Sequence, residues 1–353
     1  MSKAAELANL IGNINAGGGE VNRNLIINGA MNVSQRGTSF ADPSNDTYTL
    51  DRFIARKSND GAVTITQDSS APSGFANSLK VDVTTADTSI GANQFSMIQH
   101  KIEAQNLQGL AFGTSDAKNF TLSFYVKSNK TGTYAVNISQ ADNSSKQATL
   151  TYTINSANTW ERKSLTFTGD TSGVINDDNG SGFGILWWLA AGSTFTSGST
   201  SATFQAYANA DHAAGQAVNL LDSTSNEWFI TGIQLEVGQN PTSFEHEPFE
   251  KTLRKCQRYY QDVYYNYEGA FGTSGTGRPH HALLQVPMRA SQTFTNNEIS
   301  KGNDVSGLDH FDVYNTEAES GSIPRFANVQ VGLAFSGSSY GYYYTKISAD
   351  AEL

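Results

Sequence analysis

Hydrophobic and polar residues alternate with a period of two along most of the chain. In FTLSFYV, residues 120–126, the apolar residues Phe, Leu, Phe and Val occupy the even positions, and Thr, Ser and Tyr the odd ones. Similar short segments, separated by turn residues, recur at 134–138, 148–154, 163–169, 183–190 and 202–207. Many short strands at such intervals, without helical segments between them, predict an antiparallel β-sandwich or jelly roll.

The segment WFITGIQLEV, residues 228–237, predicts the strand that closes this sandwich. Its alternation assigns Phe229, Thr231, Ile233 and Leu235 to one face. The Gly, Asn and Pro residues that follow it end the strand. We therefore expect one β-sandwich domain over residues 24–246.

A helical spacing begins directly after this strand. Phe249, Leu253, Cys256 and Tyr260 are separated by four, three and four residues, and Pro248 suits a helix N-terminus. This pattern predicts a helix over residues 248–260 that packs Phe249, Leu253 and Cys256 inward, either against the sandwich or against copies of the helix around a symmetry axis. The change from strand to helix marks a domain boundary near residue 247.

Apolar residues at the start of the chain also have helical spacing. They are Leu7, Leu10, Ile11 and Ile14, so residues 2–14 are expected to form a short amphipathic helix. Such a helix is marginal in water and needs a partner surface. The glycines after it are typical of a flexible link. We interpret residues 1–23 as an attachment segment.

Strand patterns return after residue 258 and predict a second, smaller β domain over residues 247–353. They lie at 259–267, 281–290, 325–335 and 339–349, whereas residues 212–227 and 296–322 are expected to form loops.

Composition narrows the class of protein. Charged residues are 16% of the 353, and the formal net charge is −10, with 23 Lys and Arg residues against 33 Asp and Glu residues. The chain lacks the clustered Lys and Arg from which nucleic-acid binding draws its affinity. A single cysteine excludes an intrachain disulfide framework. No apolar run has the length of a signal peptide or membrane span, so we expect a soluble protein made in a cytoplasm, without membrane insertion.

Catalytic motifs are absent from the sequence. We find no nucleophile elbow, P-loop, zinc-protease helix or dinucleotide fingerprint, which argues against an enzyme. Carboxylates that a glycosidase could use remain at Asp177, Asp178, Asp304, Asp309 and Asp312.

The segment DDNGSG, residues 177–182, resembles the opening of a calcium loop. Asp177, Asn179 and Ser181 could supply oxygen ligands, but position twelve is Trp188, where the motif needs a bidentate Glu. A turn between two strands is the simpler interpretation. No cofactor is expected, and a structural calcium ion stays open.

Aromatic residues are the more informative candidates for ligand binding, because flat rings pack against the C–H faces of sugars. Trp187 and Trp188 are consecutive in a strand and point to opposite faces, although burial of both is the simpler interpretation. Two strands of the second domain carry tyrosines on both faces, which would also suit an oligomer interface. The candidate ligand-binding residues are Trp187, Trp188, Tyr264, Tyr265, Tyr342 and Tyr343.

Several stretches, taken together, resemble one known family. They are NLIINGAMNVSQRGTSF (24–40), YTLDRF (48–53), FTLSFYVKS (120–128), TWERKSLTFTGD (159–170), LWWLAAGSTF (186–195), ITGIQLEVGQNPTSFEHEPFEKTLRKCQRYYQ (230–261), VPMRA (286–290) and ISADAEL (347–353). This set is similar to bacteriophage tail-fibre and receptor-binding proteins that contain a carbohydrate-binding-module-like jelly roll. The match is most specific around residues 230–261.

The resemblance implies a homotrimeric virion protein of the tail fibre that meets a glycan or a protein on the host surface. It also implies that the N-terminal segment attaches to phage tail proteins. Two alternatives remain at this stage: a tailspike enzyme that modifies polysaccharide, and a purely structural tail adaptor.

Overall fold

The computed structural model describes residues 3–8, 23–142, 146–270, 275–276, 280–290, 293–302, 305–315, 327–335 and 340–353. Residues 3–8 form helix α1, and the rest of the helix predicted over residues 2–14 lies outside the described residues. The chain divides into two compact units between Thr252 and Leu253, with Leu353 grouped with the first unit.

The first unit contains two antiparallel sheets. The six-stranded sheet has the order β1 (Ser39–Ala41), β4 (Ala62–Asp68), β5 (Ser78–Thr85), β13 (Glu227–Val237), β7 (Phe120–Ser128) and β10 (Glu161–Phe167). The seven-stranded sheet has the order β12 (Ser201–Ala206), β9 (Lys146–Ile154), β8 (Gly132–Gln140), β11 (Ser181–Ala191), β6 (Phe95–Glu103), β3 (Phe53–Ser58) and β2 (Thr47–Tyr48). The predicted mainly β, antiparallel sandwich is confirmed.

The core lies between the two sheets and follows the predicted alternation in β7. The four apolar residues at even positions of 120–126 are all buried in it. The ring of Phe124 meets two rings of the opposite sheet, Tyr152 at 5.1 Å and Trp187 at 6.1 Å between centroids. Alternation thus assigns the faces of β7 correctly.

In β13 the predicted face is correct for Ile233 and Leu235 but wrong for Phe229 and Thr231, because the strand contains a β-bulge. Its register against β7 shifts between Thr231 and Gln234, where Gly232 has a φ of +61°. The extra residue reverses the faces. Trp228 and Ile230 therefore face the core before the bulge, as Ile233 does after it. Phe229 and Thr231 consequently belong to the outer face of the six-stranded sheet.

Helices are few and short in the described part of the chain. Besides α1 these are α2 (Ser193–Thr196), α3 (Phe249–Gln257) and the 3₁₀ turns Ala104–Leu110, Asn209–Asp211 and Leu220–Asp222. Within the described residues no helix is long and apolar enough to cross a membrane.

Helix α3 is shorter than predicted. It ends three residues early, and Tyr260 instead begins strand β14. Cys256 is buried as expected and Leu253 is half-buried, whereas Phe249 is 55% exposed and does not pack inward within a single chain. Packing of Phe249 against copies of the chain stays a prediction.

The second unit is a smaller β structure. Its three-stranded sheet has the order β14 (Tyr260–Ala270), β20 (Tyr340–Asp350) and β17 (Thr293–Gly302). In the other sheet β19 (Ala327–Phe335) pairs with β15 (Gly275–Thr276), β16 (His280–Leu283) and β18 (Val305–Asn315). The loop predicted over 296–322 is wrong, since β17 and β18 run through residues 293–302 and 305–315. β17 is an edge strand and is rich in polar residues. Its sequence therefore lacks the alternating apolar residues from which a strand is predicted.

Candidate functional site

The two tryptophans selected from the sequence are fully buried. Trp187 lies in the core between the sheets, and Trp188 lies on the opposite face of β11, in a second apolar cluster. Neither ring offers a face to a ligand from solution. The two side chains point to opposite faces as predicted. Because neither ring is exposed, neither can stack on a ligand in this structure.

Residues 193–213 of the chain itself cover Trp188. Its ring lies 5.4 Å from that of Phe195 and 5.5 Å from that of His212. Burial, together with the charge of Arg56, lowers the pKa of His212 to about 4. This part of the outer face of the seven-stranded sheet is therefore covered by residues 193–213 and is not accessible to a ligand.

The tyrosines selected in the second unit have different surroundings. Tyr264 is 62% exposed and Tyr342 is 40% exposed, whereas Tyr343 is buried. The ring of Tyr264 stacks on that of Tyr344 at 6.2 Å. The side chain of Tyr265 lies outside the described residues. This unit thus presents two exposed tyrosines on β14 and β20.

The segment that resembles the opening of a calcium loop lies in the connection between β10 and β11. Asp177 and Asp178 are exposed, Asn179 and Ser181 are half-buried, and the amide of Gly180 donates to Oδ1 of Asp178 at 2.7 Å. No group of three or more His, Cys, Asp or Glu residues in the described part of the chain could hold a metal ion. The side chains of Asp309 and Asp312 lie outside the described residues, as does Asp304.

The outer face of the six-stranded sheet carries aromatic and cationic side chains in one row. Lys80 on β5 pairs with Phe229 on β13, and Phe229 pairs with Lys127 on β7. Trp160 comes immediately before β10, on the far side of β7. Directly paired residues of neighbouring strands point to the same face, so these four side chains meet. We call them the Trp160 group.

Within the Trp160 group the ammonium of Lys127 lies over both rings. Its Nζ is 3.9 Å from the centroid of Phe229 and 5.4 Å from that of Trp160. The two rings meet edge to face at 6.1 Å. Nζ of Lys80 lies 5.6 Å from the Phe229 centroid. Phe229 is thereby covered to 5% exposure, while Trp160 stays half-buried. Such cation–π contacts fix the lysine stems beside the rings.

The two lysines differ in their charged partners. Burial alone would lower the pKa of Lys80, but its hydrogen bond to Glu227 and the nearby charge of Asp82 raise that pKa above its ordinary value. The Nζ atom of Lys80 lies 2.6 Å from Oε1 of Glu227 and 3.5 Å from Oδ1 of Asp82. Its charge is therefore already neutralised within the protein.

Lys127 lacks such a partner. Its Nζ donates to Oγ of Ser70 at 2.7 Å, and no carboxylate of the described residues forms an ion pair with it. Burial lowers the pKa of Lys127, and the more distant charges of Asp68 and Glu227 offset this in part. The side chain thus keeps an ammonium with donors to spare beside a half-exposed indole.

A second group of rings lies on the same face. Phe75 contacts Tyr125 at 5.4 Å, Phe244 at 5.0 Å and His246 at 5.1 Å between centroids. Tyr125 is two residues from Lys127 on β7, which separates their Cα atoms by about 7 Å. We call these four residues the Phe75 group, and both groups together the aromatic face.

Two features hold the Phe75 group in place. A Cβ atom at Gly232 would lie 2.7 Å from Cζ of Phe75 and 2.9 Å from Cδ2 of Tyr125, so glycine lets both rings lie against β13. The buried carboxylate of Glu236 accepts hydrogen bonds from the amide and the hydroxyl of Thr242, at 2.8 and 2.6 Å. That contact fixes the segment that carries Phe244.

Sequence reasoning missed the aromatic face. It placed Phe229 on the same face as Ile233 and Leu235, and it gave Trp160, Phe75 and Phe244 no role in binding. One signal was available, because a glycine inside a strand pattern, as in β13, is typical of a bulge.

The aromatic face can hold a ligand that is apolar on one side and polar at its edges. Trp160, Tyr125, Phe75 and Phe244 are half-buried, so each presents part of a ring to solvent. The indole N–H of Trp160 has no hydrogen-bond partner among the described residues and is free to donate. Rings beside uncommitted donors match the apolar face and the polar edges of a sugar.

Comparison with known proteins gives no family for this chain. No family model matches it, and no curated protein matches its sequence. Among solved structures, the enzymatically active domain of tailspike protein 4 of bacteriophage CBA120 aligns with 61% of this chain and 21% of its own length, at 12% identity and a TM-score of 0.33. The chain thus spans about a fifth of that tailspike domain.

Two further structures align over nearly their whole length. A candidate sugar-binding protein of Bacteroides thetaiotaomicron covers 61% of this chain and 99% of its own, at 13% identity and a TM-score of 0.34. The family 11 carbohydrate-binding module of a Clostridium thermocellum cellulosomal cellulase covers 59% and 98%, at 12% identity and a TM-score of 0.30. These are distant similarities, and the sandwich described above rests on its own strand pairing.

Proposed function

We propose that the chain is a tail-fibre protein of a bacteriophage virion that attaches the particle to a glycan on the host surface by non-covalent binding. The observation that carries this proposal is the aromatic face, where half-exposed rings lie beside donors that the protein leaves uncommitted. The sequence motifs at 24–40 and 230–261 support the tail-fibre part. Under this proposal the protein is not an enzyme, and it is made in the host cytoplasm before assembly.

The rings and the hydrogen-bond donors would have different roles in binding. Trp160 and Tyr125 would pack against the C–H faces of successive sugar units, and each such contact is weak and tolerates different sugars. The indole N–H and the ammonium of Lys127 would fix the orientation of polar groups at the ring edges. A homotrimer, which the sequence resemblance implies, would raise the avidity of such weak sites through effective concentration.

Adsorption of the purified protein to host cells and to their isolated surface polysaccharide tests this proposal. We expect wild-type protein to bind both, and Trp160→Ala to lose about fivefold to a hundredfold in affinity, if a sugar ring gains from the indole about the 1–3 kcal/mol that a stacked nucleobase gains from an aromatic side chain. Tyr207→Ala is the control, since Tyr207 is an exposed ring that directly follows β12 of the other sheet. Binding to neither cells nor polysaccharide would contradict the proposal.

Release of reducing ends or acetate from the polysaccharide during the same incubation would favour the polysaccharide-modifying enzyme instead. Infection that is unaffected by antibody against the whole chain would favour the structural adaptor.

A further inference from the structure

The aromatic face contains two lysines, and only one of them has its charge balanced by a carboxylate of the described residues. Binding of a neutral sugar does not require the remaining positive charge. The charge of Lys80 is neutralised by Glu227, at 2.6 Å. The ammonium of Lys127, by contrast, has a neutral hydroxyl as its hydrogen-bond acceptor, at 2.7 Å. Since an ammonium carries three donors, two remain for a ligand.

The position of this ammonium is fixed before any ligand binds. Its Nζ lies over the Phe229 ring at 3.9 Å, and its neighbours Ser70 and Trp160 limit its movement. A preorganised cation loses little side-chain freedom when it pairs with an anion. Partial burial also strengthens the pairing relative to an ion pair in open water.

We infer that Lys127 and Trp160 form a subsite for a carboxylate-bearing sugar, with the carboxylate on the ammonium and the apolar side of the sugar ring on the indole. The inference rests on the proposed function and specifies the ligand class of the same face. A uronic acid has this combination of a carboxylate and a C–H face on one ring.

The net charge of −10 does not oppose such a ligand. The lack of basic clusters argues against polymers whose binding depends on many phosphate contacts. A single carboxylate needs one cation at short range, and at physiological ionic strength charges beyond about 8 Å are largely screened.

The test compares oligosaccharides that differ in the carboxylate alone. Tetrasaccharides from uronate-containing bacterial polysaccharides are titrated into the full-length protein by calorimetry, each in its native form and after chemical reduction of the carboxyl group to an alcohol. We expect the native form to bind at least about tenfold more tightly, which is the usual gain from a charge-assisted hydrogen bond.

Two variants separate the charge of Lys127 from its stem. Lys127→Met keeps an unbranched chain against the rings and should abolish the preference for the native form, while Lys127→Arg should retain most of it. Lys57→Met is the matched control: Lys57 lies on β3 of the seven-stranded sheet, outside the aromatic face, and its ammonium is paired with Asp42, so this variant should leave the preference unchanged. Tryptophan fluorescence and thermal unfolding confirm that each variant is folded.

The outcomes distinguish this inference from the proposed function. Equal affinity of wild type for native and reduced forms would overturn the inference and leave glycan binding standing. Retention of the preference in Lys127→Met would also overturn it, as would equally tight, Lys127-dependent binding of a phosphodiester glycan without carboxylates. If wild-type protein bound no glycan or host cell, the proposed function itself would fail.

Discussion

At the scale of single residues, burial and not residue type decides which aromatic side chains can contact a ligand. Trp187, Trp188 and Trp228 are all buried, so three of the largest rings serve packing. Trp160, which was not among the candidate ligand-binding residues, is the half-exposed one. A sequence shows which rings exist, but whether a ring meets solvent depends on segments that are distant in the chain.

Burial also gives the first unit a pH dependence. The ring of His100 is fully buried, and this burial, followed by the charge of Arg52, lowers its pKa to about 3. In the unfolded chain the same group titrates near 6.5. The unfolded state therefore takes up a proton first, and stability is lost as the pH falls below about 6.5.

We predict that His100→Gln reduces this loss of stability. Between pH 7 and pH 5, His100 should contribute about 2 kcal/mol to the decrease in the free energy of unfolding, because one pKa unit corresponds to about 1.4 kcal/mol. The variant should recover about that much of the pH-dependent loss. Urea unfolding followed by tryptophan fluorescence measures it, since all four tryptophans lie in the first unit. Identical pH profiles for variant and wild type would contradict the account.

At the scale of elements, regular strands could be predicted from the sequence and irregular ones could not. In β7 each apolar residue at positions 120–126 faces the core as the alternation requires. In β13 the bulge at Gly232 reverses the faces, which moved Phe229 to the outer surface and hid the row to which it belongs. The position of a bulge depends on the partner strand, so the alternation within one strand could not show it.

The backbone conformation and close contacts at Gly232 lead to a prediction about stability. Gly232→Ala should destabilise the first unit by about 2–4 kcal/mol, because alanine resists a φ of +61° and its Cβ would overlap Phe75. Gly74→Ala is the control: its φ is +94°, but no atom lies within 4 Å of the added Cβ. It should cost about 1–2 kcal/mol. Equal effects of the two substitutions on urea unfolding would show that the contact with Phe75 contributes nothing.

At the scale of the whole molecule, the assembly state remains a prediction. Two exposed tyrosines of the second unit, Tyr264 and Tyr342, lie on β14 and β20 and expose apolar ring surface that association would bury. Tyr343 is buried within its own unit, so its replacement would disturb folding and could not report on assembly.

We expect a trimer for wild-type protein in light scattering at micromolar concentration. Replacing both Tyr264 and Tyr342 with Ser should shift the mass toward the monomer. Tyr207→Ser removes from the first unit a tyrosine that is 43% exposed, close to the 40% of Tyr342, and should leave the mass unchanged. A monomeric wild type, or a double variant that stays fully trimeric, would contradict this interface.

The location of a bound glycan tests the central claim most directly. A crystal structure of the full chain, with an oligosaccharide released from the host polysaccharide to which it adsorbs, would show where the sugar lies. The account predicts sugar rings on the outer face of the six-stranded sheet, with one ring against Trp160 and polar groups within 3.2 Å of Nζ of Lys127. An oligosaccharide bound elsewhere, with this face free of it and of neighbouring molecules, would contradict the account.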